Sequence, residues 1–200
     1  MARSALYEES AISTDERGER RKYQIFHIAS IVFLVLGAIM AFFSLTFIPS
    51  MIGQDASTAV KVFNVVIWCI PMVFFFLFFF IFWKFKRRFN VSYDYTFVQD
   101  ELRVTRVFNG KTRKHLLTMK ADQMLMIGYA DTDSYERLLA GQRNKKPTYL
   151  TPNREPAGGK IFIYIHYSTS IGKTLYVLEC RKEMLEYVVF AAGRNKFTSK

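Results

Sequence analysis

Two groups of basic residues are the side chains whose types and spacing most directly suggest binding chemistry. The first group comprises Lys111, Arg113 and Lys114, and the second comprises Arg143, Lys145 and Lys146. Clustered cations of this kind bind anionic lipid headgroups or an acidic protein partner. The alternative is ordinary solvated surface charge. We expect no nucleic-acid partner, because Tyr149 is the nearest aromatic candidate that could stack on bases among these cations.

Catalytic chemistry has little support in the sequence. His115, His166 and Cys180 could act as bases and a nucleophile, but they belong to no nucleophile-elbow motif and to no cluster of carboxylates. No paired His or Cys spacing suits zinc. We therefore expect no catalytic residue, no metal site and no cofactor. A membrane-bound hydrolase or transferase that uses His166 and Cys180 remains an alternative.

Two long apolar runs set the organisation of the chain. Residues 25–48 and 62–83 contain no charged residue. Each run is long enough to cross a hydrocarbon core of about 30 Å as a helix. They predict a transmembrane hairpin over residues 25–83, with spans at 25–48 and 61–83. The polar residues 1–24 are predicted to be a flexible segment.

Charged residues that flank the two runs predict their orientation. Basic residues precede the first run and follow the second, namely Arg17, Arg20, Arg21, Lys22, Lys84, Lys86, Arg87 and Arg88. The positive-inside rule then places both termini in the cytoplasm of a multi-pass protein of the cell membrane. The formal net charge is +11, and most of the excess lies in residues 89–200, which suits a domain held at an anionic inner leaflet.

Small residues in the first run predict a close helix contact. The residues that form this seam are Ser30, Gly37, Ala41 and Ser44. Their spacing lets two helix backbones approach each other. It predicts either packing within the hairpin or homo-oligomerisation, and the latter favours a structural subunit of a larger membrane complex. No ionisable residue lies in the middle of either run, so we do not expect a transporter or a channel.

Residues 89–200 are predicted to form a cytoplasmic domain of about six strands and a terminal helix. Aromatic and polar residues alternate over Tyr93–Phe97, as they do in a half-buried strand. Asn109-Gly110 is a strong hairpin-turn signal. Gly141–Gly159 is rich in turn residues and is predicted to be a mobile loop. The apolar spacing of Glu183–Ala192 predicts an amphipathic helix.

This order of segments resembles bacterial pleckstrin-homology-like (PH-like) domains that carry a two-helix transmembrane hairpin. The segment Tyr93–Val104 is similar to their opening hairpin, and Phe108–Lys114 is similar to their basic second turn. The resemblance covers residues 25–195. It implies a membrane α-helical hairpin plus a mainly-β (α+β) PH-like domain with a C-terminal helix. It also implies a binding or scaffolding module rather than an enzyme.

The first turn of the domain departs from the eukaryotic relatives. Lipid-binding PH domains usually place basic residues around the first hairpin, whereas Gln99–Glu101 is acidic here. We therefore do not expect specific recognition of inositol phosphates. The sequence predicts a membrane-anchored accessory or scaffold protein whose cytoplasmic domain binds a protein partner or anionic lipid.

Overall fold

The chain folds into two compact units. The computed structural model describes residues 6–52, 57–141, 146–170 and 172–199. One unit contains residues 17–89 and is helical. The other unit joins residues 1–16 to residues 90–200 and contains all of the described strands. The second unit is therefore built from two separate stretches of sequence.

Two long helices make up the first unit. Helix α1 spans Glu16–Ile52 and helix α2 spans Thr58–Lys86. Both are long and apolar enough to cross a membrane by length and composition, and α2 has no buried residue. Helix α1 begins well before the predicted span, because the preceding segment is rich in Glu, Arg and Lys, which are good helix formers. An ion pair between Lys22 and Glu19 at 2.9 Å supports this first part of the helix.

Aromatic rings join the two helices. Phe33 of α1 stacks on Phe78 and Phe82 of α2, with ring centroids 5.4 and 5.3 Å apart. Phe47 of α1 stacks on Trp68 of α2 at 5.5 Å. Such ring pairs add to the packing energy beyond the area that they bury. The phenylalanine-rich stretch of α2 therefore includes the rings that hold the hairpin together.

The N-terminal segment supplies a strand to the second unit. Strand β1 spans Tyr7–Ala11 and pairs antiparallel with β2, Val91–Val98. Ala11 lies opposite Tyr93 and is fully buried. This differs from the flexible segment that the sequence predicts for residues 1–24. Local periodicity does not reveal the pairing, because β1 is short and largely polar and its partner follows both helices.

The two helices are thus an insertion between neighbouring strands of one sheet. This sheet has the order β1-β2-β3-β4, where β3 spans Glu101–Phe108 and β4 spans Thr112–Lys120. The predicted turn at Asn109-Gly110 is confirmed. Its residues have φ angles of 52° and 67°, and positive φ at both central positions is the pattern of a type I′ hairpin.

A second sheet completes the domain. Its strands are β5 (Met124–Tyr129), β6 (Thr148–Tyr149), β7 (Ile161–Thr169), β8 (Gly172–Cys180) and β9 (Phe197–Thr198), in the order β6-β8-β7-β5-β9. Helix α3 spans Asp133–Gly141, and helix α4 spans Lys182–Ala192. The predicted terminal helix is confirmed. The predicted strand count omits β1 and the two-residue strands β6 and β9.

The two sheets and α4 enclose one main core. Its most buried large side chains include Tyr95, Leu102, Ile163, Leu178 and Met184. Each such side chain contributes about 1.5–3 kcal/mol when it is fully buried. A smaller cluster lies beneath α3, where the rings of Tyr135 and Tyr164 pack with centroids 5.5 Å apart. Strand β7 is therefore buried on both faces, which explains its continuous apolar sequence.

Candidate functional site

The first predicted basic group lies at the edge of the four-stranded sheet. Lys111 is in the β3–β4 turn, and Arg113 and Lys114 are near the start of β4. All three side chains are exposed. Among the described strands, β4 has a neighbour on one side only, so these cations are accessible to solvent. We call Lys111, Arg113 and Lys114 the basic edge.

Arg113 and Lys114 lie on opposite faces of the sheet, as successive strand residues do. Arg113 forms an ion pair with Asp94 of β2, with 3.4 Å between Nε and Oδ2. Ser10 of β1 donates a hydrogen bond to the other carboxylate oxygen of Asp94 at 2.7 Å. Asp94 therefore partly neutralises Arg113. Lys111 and Lys114 form no ion pair with any residue that the structure describes.

The face that carries Lys114 also carries Arg106, a cation that the sequence pattern did not single out. Arg106 of β3 lies directly opposite Lys114 in the β3–β4 ladder. Its guanidinium carbon lies 5.1 Å from the ring centroid of Phe108 and 5.7 Å from that of Tyr93. These distances are typical of cation–π contacts. The Nε atom of Arg106 is buried and has no hydrogen-bond partner in the described part of the chain.

A signal for Arg106 does exist in the sequence. In β3, Leu102 and Val104 are fully buried, and alternation places Arg106 and Phe108 on the same face. Arginine is rarely found at a core-facing position unless it has a partner. The alternation of side chains along β3 identifies Arg106, whereas clustering of charge along the sequence does not.

The second predicted basic group is described only in part. Lys146 is exposed and precedes β6, an edge strand of the second sheet. Arg143 and Lys145 lie outside the described residues. The sequence predicts a mobile loop over residues 141–159. The later part of this loop is instead packed against the domain, because Thr151 and Asn153 are buried. Lys146 and the basic edge belong to different sheets.

The seam of small residues lies on the side of α1 that meets α2. Its buried or half-buried members are Ser30, Gly37, Ala41 and Ser44. A Cβ atom added at Gly37 would lie 3.4 Å from ring carbons of Phe76 in α2. The hydroxyl of Ser44 lies 3.5 Å from the carbonyl oxygen of Trp68 in α2. Both contacts are within the hairpin.

His166 and Cys180 are not brought together. In the β7–β8 ladder, His166 is opposite Leu175 whereas Cys180 is opposite Ile161. This separation of five ladder positions corresponds to about 16 Å along the strands. Alternation also places the two side chains on opposite faces of the sheet. Cys180 faces the main core, where burial raises the pKa of its thiol, so these two residues do not form a nucleophile–base pair.

A buried carboxylate organises the loop that precedes β7. Glu179 of β8 is fully buried. One of its oxygens accepts hydrogen bonds from the Thr151 hydroxyl at 2.5 Å and from the Asn153 amide at 2.8 Å. Its other oxygen accepts a bond from the backbone N–H of Ala157 at 2.9 Å. Both oxygens are thus satisfied, as a buried carboxylate requires, and the network fixes the position of Asn153.

Asn153 in turn holds the chain just before α1. Its side-chain amide donates to the carbonyl of Ile12 at 2.8 Å, and its side-chain oxygen accepts from the backbone N–H of Thr14 at 2.8 Å. Glu9 of β1 forms an ion pair with Lys160 at 3.4 Å, and both side chains are largely buried. These contacts bind the N-terminal stem of the helical insertion to the domain.

The architecture and the family comparison together define the class of the protein. Two sheets share one core with a C-terminal helix, and two long apolar helices follow the first strand. The model of the family described as Bacterial PH-like domain (DUF6106) matches residues 4–198, and the chain belongs to this family. The predicted family resemblance is therefore confirmed. The match includes β1 and both long helices. Searches of the curated proteins and of the solved structures find no match.

Proposed function

We propose that the chain is a membrane-anchored accessory protein of the cell membrane whose cytoplasmic PH-like domain contacts anionic lipid through the basic edge. In this function the two apolar helices anchor the protein, and the sheet domain orients itself on the headgroups. The domain is a binding module rather than an enzyme. The competing ligand is an acidic protein partner, which the same cations would suit.

The insertion of α1 and α2 between β1 and β2 is the observation that carries this proposal. Ala11 and Tyr93 are ladder partners, and short segments connect these strands to the two helices. If α1 and α2 span a bilayer, chain continuity makes them leave and return on the same side. Cations flank both stems of the insertion, and the positive-inside rule assigns that side to the cytoplasm.

The charge of the basic edge supports lipid as the ligand. Lys111 and Lys114 are exposed and are not neutralised by a described carboxylate. Each cation near an anionic surface adds about 1 kcal/mol of attraction. An anchored domain needs no recruitment, so this attraction would set its orientation at the membrane.

The hairpin gives less support to a structural subunit of a larger membrane complex. That alternative uses the seam on α1 as a contact between chains. Gly37 and Ser44 of this seam already contact Phe76 and Trp68 of the same hairpin. The accessory function is therefore the better supported of the two.

Hydrogen exchange in lipid nanodiscs tests the lipid contact. The full chain is incorporated into discs of neutral lipid and into discs that contain anionic lipid. We expect slower backbone exchange at residues 111–116 in the anionic discs, because the edge amides of β4 then face headgroups rather than water. High salt should remove this protection, since it screens exposed charges.

Paired charge variants give the control for this experiment. Lys111→Gln with Lys114→Gln should abolish the lipid-dependent protection. Lys173→Gln with Lys182→Gln removes the same charge from exposed positions on β8 and α4 and should retain it. Equal exchange in neutral and anionic discs at low salt would exclude lipid as the ligand and favour the protein partner.

A further inference from the structure

The Arg106–Lys114 pair is an arrangement that a folded sheet does not favour by itself. The two residues are direct partners in the β3–β4 ladder, so their Cβ atoms lie about 4.5–5.5 Å apart on one face. Like charges directly opposite each other destabilise a strand pair. An anion bound between the two cations would relieve this repulsion.

The described part of the domain supplies no carboxylate that compensates this pair. Asp94 is bonded to Arg113 and Ser10 on the opposite face. Glu101 is at the other end of β3, where it forms an ion pair with Arg103 at 3.2 Å. No ion pair is found for Arg106 or Lys114 among the residues that the structure describes.

Arg106 is also half-buried against aromatic rings of the same sheet. Its guanidinium lies against the rings of Phe108 and Tyr93, and its Nε donor is buried without a partner in the described part of the chain. A donor of this kind is costly when it is unsatisfied. A guanidinium packed on two rings in this way is preorganised, and the exposed part of this half-buried side chain can meet an oxyanion.

A hydroxyl completes the site. Thr112 is the ladder partner of Phe108, so it lies on the same face as Arg106 and Lys114, two ladder positions further along. Thr112 and Lys114 are both exposed on the edge strand, and a ligand can therefore reach them from solvent. The face offers a guanidinium, an ammonium and a hydroxyl, which are typical donors to phosphate.

We infer that Arg106, Lys114 and Thr112 form a binding site for a phosphate monoester. Such a group carries between one and two negative charges near neutral pH, which matches the two cations of the site. The phosphate belongs either to a lipid headgroup or to a soluble phosphate ester. The lipid version rests on the proposed function, whereas the site itself does not.

The first test uses the full chain in uncharged detergent micelles, titrated with inorganic phosphate at constant ionic strength and followed by calorimetry. We expect saturable binding that Arg106→Gln and Lys114→Gln each weaken at least tenfold. Arg106→Lys should weaken it as well, because it keeps the charge but loses the planar fork. Arg103→Gln is the matched control, since Arg103 is an exposed arginine of the same strand on the other face, and it should bind like the wild type.

The thermal midpoint without phosphate checks that the variants fold. Lys114→Gln removes an exposed side chain and a like-charge contact, so its midpoint should equal or exceed that of the wild type. Absence of saturable phosphate binding by the wild type would overturn the site. Undiminished binding by a folded Lys114→Gln protein and by Arg106→Gln would overturn it too.

The second test identifies the source of the phosphate and separates the site from the proposed function. Nanodiscs with a phosphomonoester lipid are compared with discs of a phosphodiester lipid at matched surface charge. Arg106-dependent protection of residues 111–116 in the monoester discs alone supports a lipid headgroup. Phosphate binding in micelles without such protection supports a soluble ester and counts against lipid as the ligand. Equal protection in both discs, with no phosphate binding in micelles, keeps the lipid function and rejects the site.

Discussion

Ala11 lies directly opposite Tyr93 in the β1–β2 ladder, although both long helices separate the two residues in the sequence. Both side chains are buried in the main core. Strand β1 is therefore part of the sheet. The PH-like domain contains residues that precede the helical insertion and residues that follow it. Because of this pairing, the domain includes β1 as well as residues 90–200.

Removal of β1 should impair folding of the domain. A fragment of residues 89–200 leaves one side of β2 unpaired and removes both backbone partners of Asn153. We expect it to be less stable by at least about 2 kcal/mol, since each unsatisfied buried polar group costs about 1–3 kcal/mol.

The matched fragment retains β1 and lacks the hairpin. It joins residues 6–14 to residues 91–200 through a short glycine-rich turn, which converts β1 and β2 into a hairpin. It should be soluble and unfold cooperatively in urea at a higher midpoint than the 89–200 fragment. Equal midpoints for the two fragments would show that β1 contributes nothing to the domain.

Asn153 should be the side chain that couples the loop before β7 to the stem of α1. Asn153→Ala leaves the carbonyl of Ile12 and the N–H of Thr14 without their partners and removes a donor from Glu179. We expect a loss of about 1–3 kcal/mol, measured by chemical unfolding of the full chain in micelles. Hydrogen exchange should also increase at residues 12–14.

The exposed Asn195 provides a control for this substitution. Asn195→Ala should change stability by less than about 0.5 kcal/mol. Unaltered exchange at residues 12–14 in Asn153→Ala would contradict the proposed coupling.

His166 should make the domain less stable in mild acid. Burial, with a smaller contribution from the charge of Lys173, lowers the pKa of His166, so the unfolded chain binds this proton more readily. The stability due to neutral His166 is fully present above the ordinary pKa of about 6.5 and is lost as the pH falls through that value toward the lower folded pKa. The thermal midpoint measured between about pH 7.5 and about pH 5 should reveal this loss.

Glutamine variants separate this contribution from other titrating groups. His166→Gln should show a weaker dependence of the midpoint on pH than the wild type. His115→Gln, at an exposed position of β4, should keep the dependence of the wild type. An unchanged slope in His166→Gln would mean that another group is responsible.

Gly37 should tolerate a methyl group but not a larger side chain. A Cβ atom would meet the ring of Phe76 at 3.4 Å, which is an ordinary contact distance, whereas a leucine side chain would displace the ring. Gly37→Leu should lower the thermal midpoint of the full chain in micelles, and Gly37→Ala should leave it nearly unchanged. Because the contact is within the hairpin, neither variant should alter the mass measured by light scattering. A lower mass for Gly37→Leu would indicate that the seam joins separate chains.

Local signals account for the parts of the fold that the sequence predicts. The two long apolar helices, the Asn109-Gly110 turn and the terminal helix Lys182–Ala192 all arise from neighbours within a few residues. Their periods, turn residues and hydrophobic lengths act through the chain nearby. These elements are therefore visible before the tertiary structure is known.

Long-range pairing accounts for the parts that the sequence does not predict. Strand β1 is too short and polar to be recognised without β2, its partner beyond the hairpin. Strands β6 and β9 have two residues each and form only by pairing with longer strands. Arg106 and Lys114 become one site through the β3–β4 register, which separates Lys114 from Arg113. Adjacency in sequence is thus a poor guide to the cations that share a face.

The proposal that the domain is anchored and cytoplasmic is tested most directly by the side of the membrane that each segment faces. Cys69 and Cys180 are replaced by alanine, and single cysteines are placed at Ser57, just before α2, and at Ser199, just after β9. Intact cells are treated with a membrane-impermeant maleimide before and after permeabilisation. We expect labelling of the Ser57 position in intact cells and of the Ser199 position only after permeabilisation. Labelling of the Ser199 position in intact cells would contradict the cytoplasmic placement of the domain.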